Sequence, residues 1–524
     1  MENSNKTALI IGAGPAGLGA AYELLKRSTP DKPWDITILE ASDKIGGNSR
    51  TVEFEGNYVD IGPHHFFTNS EYIKSIWNEF LPEQGAPACD DKLFEREVEL
   101  NPGGPDPDTD KQVMLKRKRV SRILYEGKFF DYPLSFKKDT ILKLGLKKTL
   151  YFGFSVLKSR IFRRKEVTME DYLINKFGRG LYNEFFKAYT YKAWGDEPCN
   201  ISSECGTQRI QGISLRKALK QLFKSILGIK PAENDEVKGS INEVKVLRYP
   251  KHGAGQMWEL LAEQLRSKGV KFAFGNAVTH IKIENKSVTG LTVETGEGMK
   301  ELTADYVIST IPLSKLFGSF THDGEKPSPA RDAALALKYR NFVMIGIFAS
   351  RLSLQNDTGI KTIDGSLPDC WSYIYNNVAM MSRFGIYNNF SPYVVSDWQR
   401  EVFLGMEYFC NENDDIWKGK PEESIEFAVK EAVKLGLLER ENIVRTIKVQ
   451  EGFAYPVYSG SYANFGDIRD YIDTLDNLYS IGRKGQHRYL DMDQSFLTAV
   501  ECVKHIHGEI SDKRTIWEVT EEVQ

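Results

Sequence analysis

The stretch Ala8-Leu9-Ile10-Ile11-Gly12-Ala13-Gly14-Pro15-Ala16-Gly17 decides the fold. Its first four residues are a short unbroken apolar run, the pattern of a strand buried on both faces of a parallel sheet. A helical stretch from Leu18 to about Lys26 follows the glycines. In such a Gly-x-Gly-x-x-Gly turn the glycines permit a tight bend, close approach of a pyrophosphate and close helix–strand packing, with the helix N-terminus facing the phosphates. Gly12, Gly14, Pro15, Ala16 and Gly17 are therefore candidate dinucleotide-binding residues. A second strand, Trp34 to Leu39, ends in Glu40 and Ala41, where the carboxylate can accept hydrogen bonds from ribose hydroxyls. The fold class is α/β.

Beyond Glu40 stand Gly46-Gly47-Asn48-Ser49-Arg50. Two distant segments belong with them: Ala304-Asp305-Tyr306-Val307-Ile308-Ser309-Thr310, and Asn477-Leu478-Tyr479-Ser480-Ile481-Gly482-Arg483 with a helix from about Asp493 to His507 behind it. This set resembles the FAD-binding flavoproteins of the amine oxidase and glutathione reductase superfamily. The resemblance implies FAD as cofactor and a discontinuous Rossmann domain made of residues 1–75, 245–315 and 470–510. Between its pieces lie a mostly helical, basic insertion (76–244) and a sheet-containing substrate domain (316–469), with a C-terminal tail at 511–524. Short apolar and aromatic runs between Phe342 and Phe409 suit a mixed or antiparallel sheet next to the flavin. The resemblance adds Gly47, Asn48, Ser49, Val278, Gly482, Arg483, Met492 and Asp493 to the cofactor site.

A narrower likeness runs through four segments. Asp60-Ile61-Gly62-Pro63-His64-His65-Phe66-Phe67-Thr68 resembles the flavin-flanking loop of UDP-galactopyranose mutases. Tyr191-Lys192-Ala193-Trp194-Gly195, with Arg209 fifteen residues after the tryptophan, is similar to the same family. Trp371 precedes Arg383 by twelve residues, and Gly482-Arg483 leads to Arg488-Tyr489-Leu490-Asp491-Met492-Asp493. Phe67 and Phe390 depart from the mutase pattern. The likeness implies that reduced flavin N5 is the nucleophile in a pyranose–furanose interconversion of a nucleotide-diphosphate sugar, for polysaccharide or glycoconjugate synthesis. Arg209 and Arg383 would clamp the diphosphate and His64 would position the flavin. Trp194, Trp371, Tyr455, Tyr489 and Asp491 would line the substrate pocket. Guanidinium forks suit a diphosphate, and aromatic faces suit base and sugar. Phe129-Phe130-Asp131-Tyr132-Pro133-Leu134 and the segment Tyr249 to Trp258 are instead similar to protoporphyrinogen oxidase-like proteins. They keep open an FAD-dependent oxidation of an amine, a sugar or a tetrapyrrole.

Composition agrees with an enzyme. The 524 residues are 41% hydrophobic, 27% charged and 12% aromatic, with a formal net charge of -3. That balance argues against general nucleic-acid binding by bulk electrostatics. Six cysteines form no CxxC pair, and eight histidines form no His-x3-His pair, so neither a disulfide frame nor a metal centre is expected. Without a visible targeting segment or a long apolar window, a cytoplasmic location is expected. Residues 116–165 hold sixteen Lys or Arg against three acids. Two readings of this segment stay open: peripheral contact with an anionic membrane, or a helical cap with a solvated basic face. The oligomeric state is not legible.

Overall fold

A computed structural model describes residues 5–132, 134, 138–209, 246–322, 328–375 and 377–519. Lys6–Ile11 lies at the centre of a five-stranded parallel sheet, in the order Leu478–Ser480, Tyr306–Ser309, Lys6–Ile11, Trp34–Glu40, Lys271–Phe274. Its apolar run is buried on both faces, as a central parallel strand requires. The helix Pro15–Lys26 packs on one face and touches the late helix Met492–Ile506 so closely that a Cβ on Gly19 would lie 2.9 Å from the Phe496 ring.

A four-stranded sheet (Gly298–Leu302, Ser287–Thr295, Ala277–Glu284, Phe320–His322) lies beside this domain in sequence. The larger sheet has seven strands, in the order Ile443–Pro456, Tyr339–Ala349, Val402–Cys410, Arg383–Ile386, Trp371–Ile374, Ser121–Tyr125, Lys128–Asp131. All its pairings are antiparallel except Trp371–Ile374 with Ser121–Tyr125, which is parallel. Its register places Glu407 opposite Arg383, and Arg383 opposite Tyr373, in one row across three strands.

One feature differs from the sequence expectation and a second adds to it. The insertion assigned to 76–244 is not simply helical: residues 121–131 form the outer hairpin of the seven-stranded sheet. Glu126 and Gly127 turn it with φ of 49° and 71°, the paired positive angles of a two-residue hairpin turn. The tail from 511 is packed down at least to Val519. Trp517 is buried and donates to Asp473 Oδ1, and Arg488 donates to the carbonyls of Trp517 and Val519.

Candidate active site

A cleft of about 810 Å³ opens at the carboxyl ends of the parallel strands and runs under the seven-stranded sheet. One end of it is made by backbone. Gly12 adopts φ +107°, and a Cβ there would lie 2.1 Å from Thr310 Oγ1. A Cβ on Gly17 would lie 2.0 Å from the Gly12 carbonyl oxygen, so Gly17 serves helix–strand packing and does not itself line the cleft. Gly14 and Gly47 face each other, with a Cβ on Gly47 only 3.3 Å from Gly14 Cα. Side chains on both would fill the passage that a pyrophosphate needs. The Ala13 N–H donates to Glu40 Oε2, and Glu40 Oε1 accepts from the N–H and hydroxyl of Ser42. The N-termini of Pro15–Lys26 and Met492–Ile506 both reach the cleft, through Pro15 and Ala16 and through Met492 and Asp493. Two helix N-termini on one cavity favour an anionic group there. Asn48 and Ser49 line the same end, where the Asn48 Oδ1 is buried without a hydrogen-bond partner. Gly482 is held by donation of its N–H to Thr498 Oγ1. A Cβ on Gly482 would sit 2.6 Å from that of Ala16. This glycine-lined, anion-favouring channel beside Glu40 fits a dinucleotide cofactor.

The opposite end is made by side chains. His64 Nδ1 lies 2.9 Å from the Gly62 carbonyl, which can only accept, so Nδ1 carries the proton and Nε2 presents a lone pair. Burial foremost, with the charges of Arg483 and Arg383, pulls the His64 pKa down to about 4 against the Gly62 hydrogen bond, which raises it. His65 is pulled to about 3, again by burial first and then by Arg119. Both imidazoles are neutral at pH 7. His65 and Phe390 each stack near-parallel to Trp371, with ring centroids 5.6 and 6.0 Å from it. The Arg119 guanidinium lies 5.0 Å from the Trp371 ring. Trp371 Nε1 and His65 Nε2 are buried without a hydrogen-bond partner among the described residues. Two such atoms in a cleft wall suit polar groups of a ligand.

Arg383 Nε donates to Glu407 Oε2 in a charge-assisted pair that the sheet register dictates. Burial opposes the arginine's charge, but Glu407 outweighs it and holds Arg383 well above its ordinary pKa. Arg383 lines the cleft, while Glu407 is fully buried behind it. Arg483 donates to the carbonyls of Ala454 and Leu490, and its guanidinium lies 4.5 and 4.1 Å from the Tyr455 and Tyr489 ring centres. Asp491 and Trp194 complete the wall among the expected residues, and Trp194 makes an edge contact with Tyr458.

Two further expected residues lie outside the cleft, and for a third only the backbone is described. Ala41 is exposed past the end of its strand and does not line the cleft. Val278 pairs with Val293 in the four-stranded sheet, packs into that sheet's apolar cluster and does not line the cleft either. Arg209 closes the helix Ser203–Arg209, and its side chain lies outside the described residues. Sequence reasoning missed His65, Arg119, Tyr132, Tyr373 and Glu407. For Glu407 a signal existed: it is the sole charged residue in the strand Val402–Cys410, and a carboxylate in a strand buried on both faces requires a partner.

The comparisons with known proteins agree with this construction. The fold is similar to that of a reduced UDP-galactopyranose mutase, with a TM-score of 0.75 at 22% identity, covering 98% of this chain and 96% of that one. Among curated proteins, the chain is 24% identical over 341 residues to a 1-hydroxycarotenoid 3,4-desaturase of Flavobacterium sp. (strain P99-3), covering 62% of this chain and 60% of the relative. It is 27% identical over 299 residues to a coproporphyrinogen III oxidase of Staphylococcus aureus (strain NCTC 8325 / PS 47), covering 54% of this chain and 56% of that relative. The chain thus spans less than two thirds of the length of these curated relatives. Residues 15–379 match the sequence model of the flavin-containing amine oxidoreductases. The chain belongs to that family, and its cofactor is FAD.

Proposed function

We propose that this flavoenzyme interconverts the pyranose and furanose forms of a nucleotide-diphosphate sugar, supplying polysaccharide or glycoconjugate synthesis. The supporting observation is the convergence of Arg119, Arg383 and Arg483 on the His64–His65 corner of the cleft, beyond the cofactor cradle. Planar guanidinium groups bind diphosphate oxygens in forks, and their charge is largest where water is excluded.

What FAD supplies when bound and reduced is a nucleophile for the anomeric carbon, with no net oxidation over a turnover. The chain's own residues do the rest. Gly12, Gly14 and Gly47 admit the cofactor's pyrophosphate, and Glu40 orients its ribose. Arg383 and Arg119 hold the nucleoside diphosphate as it leaves and returns, and Arg209 keeps its sequence-based assignment to the same task. Trp194, Tyr455 and Tyr489 stack on base and sugar. Neutral His64 accepts a hydrogen bond at Nε2 without adding a positive charge, and Asp491 fixes a sugar hydroxyl.

The test is a titration of the yellow protein with UDP, oxidised and then dithionite-reduced, followed by flavin fluorescence and absorbance. Saturable binding that tightens on reduction is expected, and Arg383→Lys should weaken it roughly tenfold, the scale of one lost charge-assisted fork. Silence toward UDP, GDP and dTDP would overturn the mutase reading. A second reading, an FAD-dependent oxidation of an amine, a sugar or a tetrapyrrole, is supported by the likeness to a desaturase and a coproporphyrinogen oxidase. There the same arginines would bind substrate carboxylates. Stoichiometric product oxidation with peroxide release would favour it.

A further inference from the structure

The helix Leu146–Ile161 has two apolar faces, and among the described residues only one of them is packed. Phe152, Ser155, Val156 and Ser159 face the core. Leu146, Leu150, Phe154, Leu157 and Ile161 recur at spacings of four, four, three and four. At 3.6 residues per turn they fall within an arc of about 80°. They are 66%, 65%, 67%, 57% and 67% exposed. Leu142 on the preceding turn and Phe162 just beyond extend the stripe, at 72% and 71%. Single exposed leucines need no explanation, but an ordered row over four helical turns does.

The charge around the stripe says what covers it. Lys147 and Lys158 flank it on one side and Arg160 on the other, all exposed, and Arg163-Arg164-Lys165 follow its end. From 139 to 165 there are eight Lys or Arg and a single acid, Asp139, which is already paired with Lys143. A second protein surface would meet such a stripe with apolar residues and acids in a fixed pattern. A bilayer surface needs only a continuous apolar ridge that sinks among acyl chains, bordered by cations at headgroup level. Lys and Arg stems can reach outward from the ridge to those headgroups. Among the described residues no helix is long and apolar enough to cross a membrane, so this one would lie along the surface.

We infer that Leu146–Ile161 is a monotopic anchor that seats the protein on an anionic lipid surface through Leu146, Leu150, Phe154, Leu157 and Ile161. The exposed apolar face is more than a cap with a solvated basic outer face would require. The anchor stands apart from the catalytic reading, because it requires nothing of the cleft.

The experiment uses the full-length FAD-loaded protein and sedimentation with vesicles of phosphatidylcholine, alone or with about 30 mol % phosphatidylglycerol. Binding to the anionic vesicles is expected. L150S/F154S should lower the partition coefficient roughly tenfold or more at all salt concentrations. K147E/K158E should remove the preference for anionic vesicles, an effect that about 0.5 M salt reproduces in the parent protein. M299S, which alters an exposed methionine on a distant hairpin, serves as the control and should change nothing. Flavin absorbance checks that each variant is folded. The inference is overturned if the parent protein ignores anionic vesicles, or if L150S/F154S binds them as well as the parent. It is equally overturned if the parent forms a concentration-dependent oligomer that L150S/F154S abolishes while vesicles compete for nothing.

Discussion

The two ends of the cleft are built by opposite means. At the cofactor end the decisive atoms are backbone: Gly12, Gly14, Gly17 and Gly47 work by lacking a side chain. At the substrate end they are arginine, histidine and tyrosine side chains delivered from five separated segments, around residues 64, 119, 373, 383 and 483. A site made of absent atoms has little tolerance, because an added side chain meets a fixed neighbour at Gly12, Gly17 and Gly47 and fills the ligand's passage at Gly14. One made of converging side chains can lose a member and fail locally. Gly17→Ala should therefore have the largest effect on FAD binding. Its Cβ would meet the Gly12 carbonyl, which cannot swing aside, at a cost of about 3 kcal/mol or more and on the order of a hundredfold in FAD affinity. Gly14→Ala breaks the comparison usefully. Its Cβ meets nothing closer than 3.8 Å, so the protein should fold with near-parent stability yet purify with little flavin. Flavin content and melting temperature, measured together, separate the two outcomes. Equal flavin loading in Gly17→Ala and parent would contradict the cradle.

At the substrate end Arg383→Ala should cost about 3–5 kcal/mol, because it strands the fully buried Glu407 carboxylate. The double variant Arg383→Ala/Glu407→Gln removes the stranded charge and should regain most of that stability. It should remain unable to bind UDP. If the double variant bound UDP like the parent, Arg383 would be a sheet-pairing residue and nothing more.

This contrast also explains what the sequence discloses. The cradle is local: one strand, one turn and one helix within residues 6–26 carry it, and Glu40 follows on the adjacent strand, so spacing alone specifies it. The substrate end depends on register between strands that are far apart in sequence. That Glu407 stands opposite Arg383, or Trp371 opposite Ser121, follows from hydrogen-bonded pairing that no linear spacing encodes. Arg383, Trp371 and Tyr489 were therefore reached by resemblance. Arg119 was reached by nothing, being one cation in a basic run. Membership of the exposed stripe was likewise hidden, since Leu150 and Phe152 look alike in sequence and face opposite ways.

A last comparison separates two buried histidines inside the site from two outside it. His64, His65, His252 and His487 have folded-state pKa values drawn down to about 4, 3, 4 and 4, by burial foremost in each case. Unfolded, each titrates near its ordinary 6.5. The unfolded chain therefore binds more protons, and the stability these groups confer is full above about pH 6.5 and is lost as the pH falls toward 4. Asp60 acts the other way, because burial pushes it up to about 7, so acidification relieves its cost. Burial also raises Glu259, Asp369, Glu407 and Asp473, and it lowers His505 and His507 with the other four. The six histidines have the ordinary pKa nearest this window, so the melting temperature of the FAD-loaded protein should fall between pH 6.5 and 5. Each fully coupled histidine contributes roughly 1.4 kcal/mol per pH unit. UDP sharpens the test. Phosphates lying against Arg119, Arg383 and Arg483 would offset the charges that depress His64 and His65, and would leave His487, bonded to the Val457 carbonyl away from those arginines, unmoved. Saturating UDP should therefore flatten the pH dependence of the parent protein but not of His64→Gln/His65→Gln, whose residual slope comes from His252, His487, His505 and His507. An unchanged slope with UDP bound would place the diphosphate away from the histidine corner.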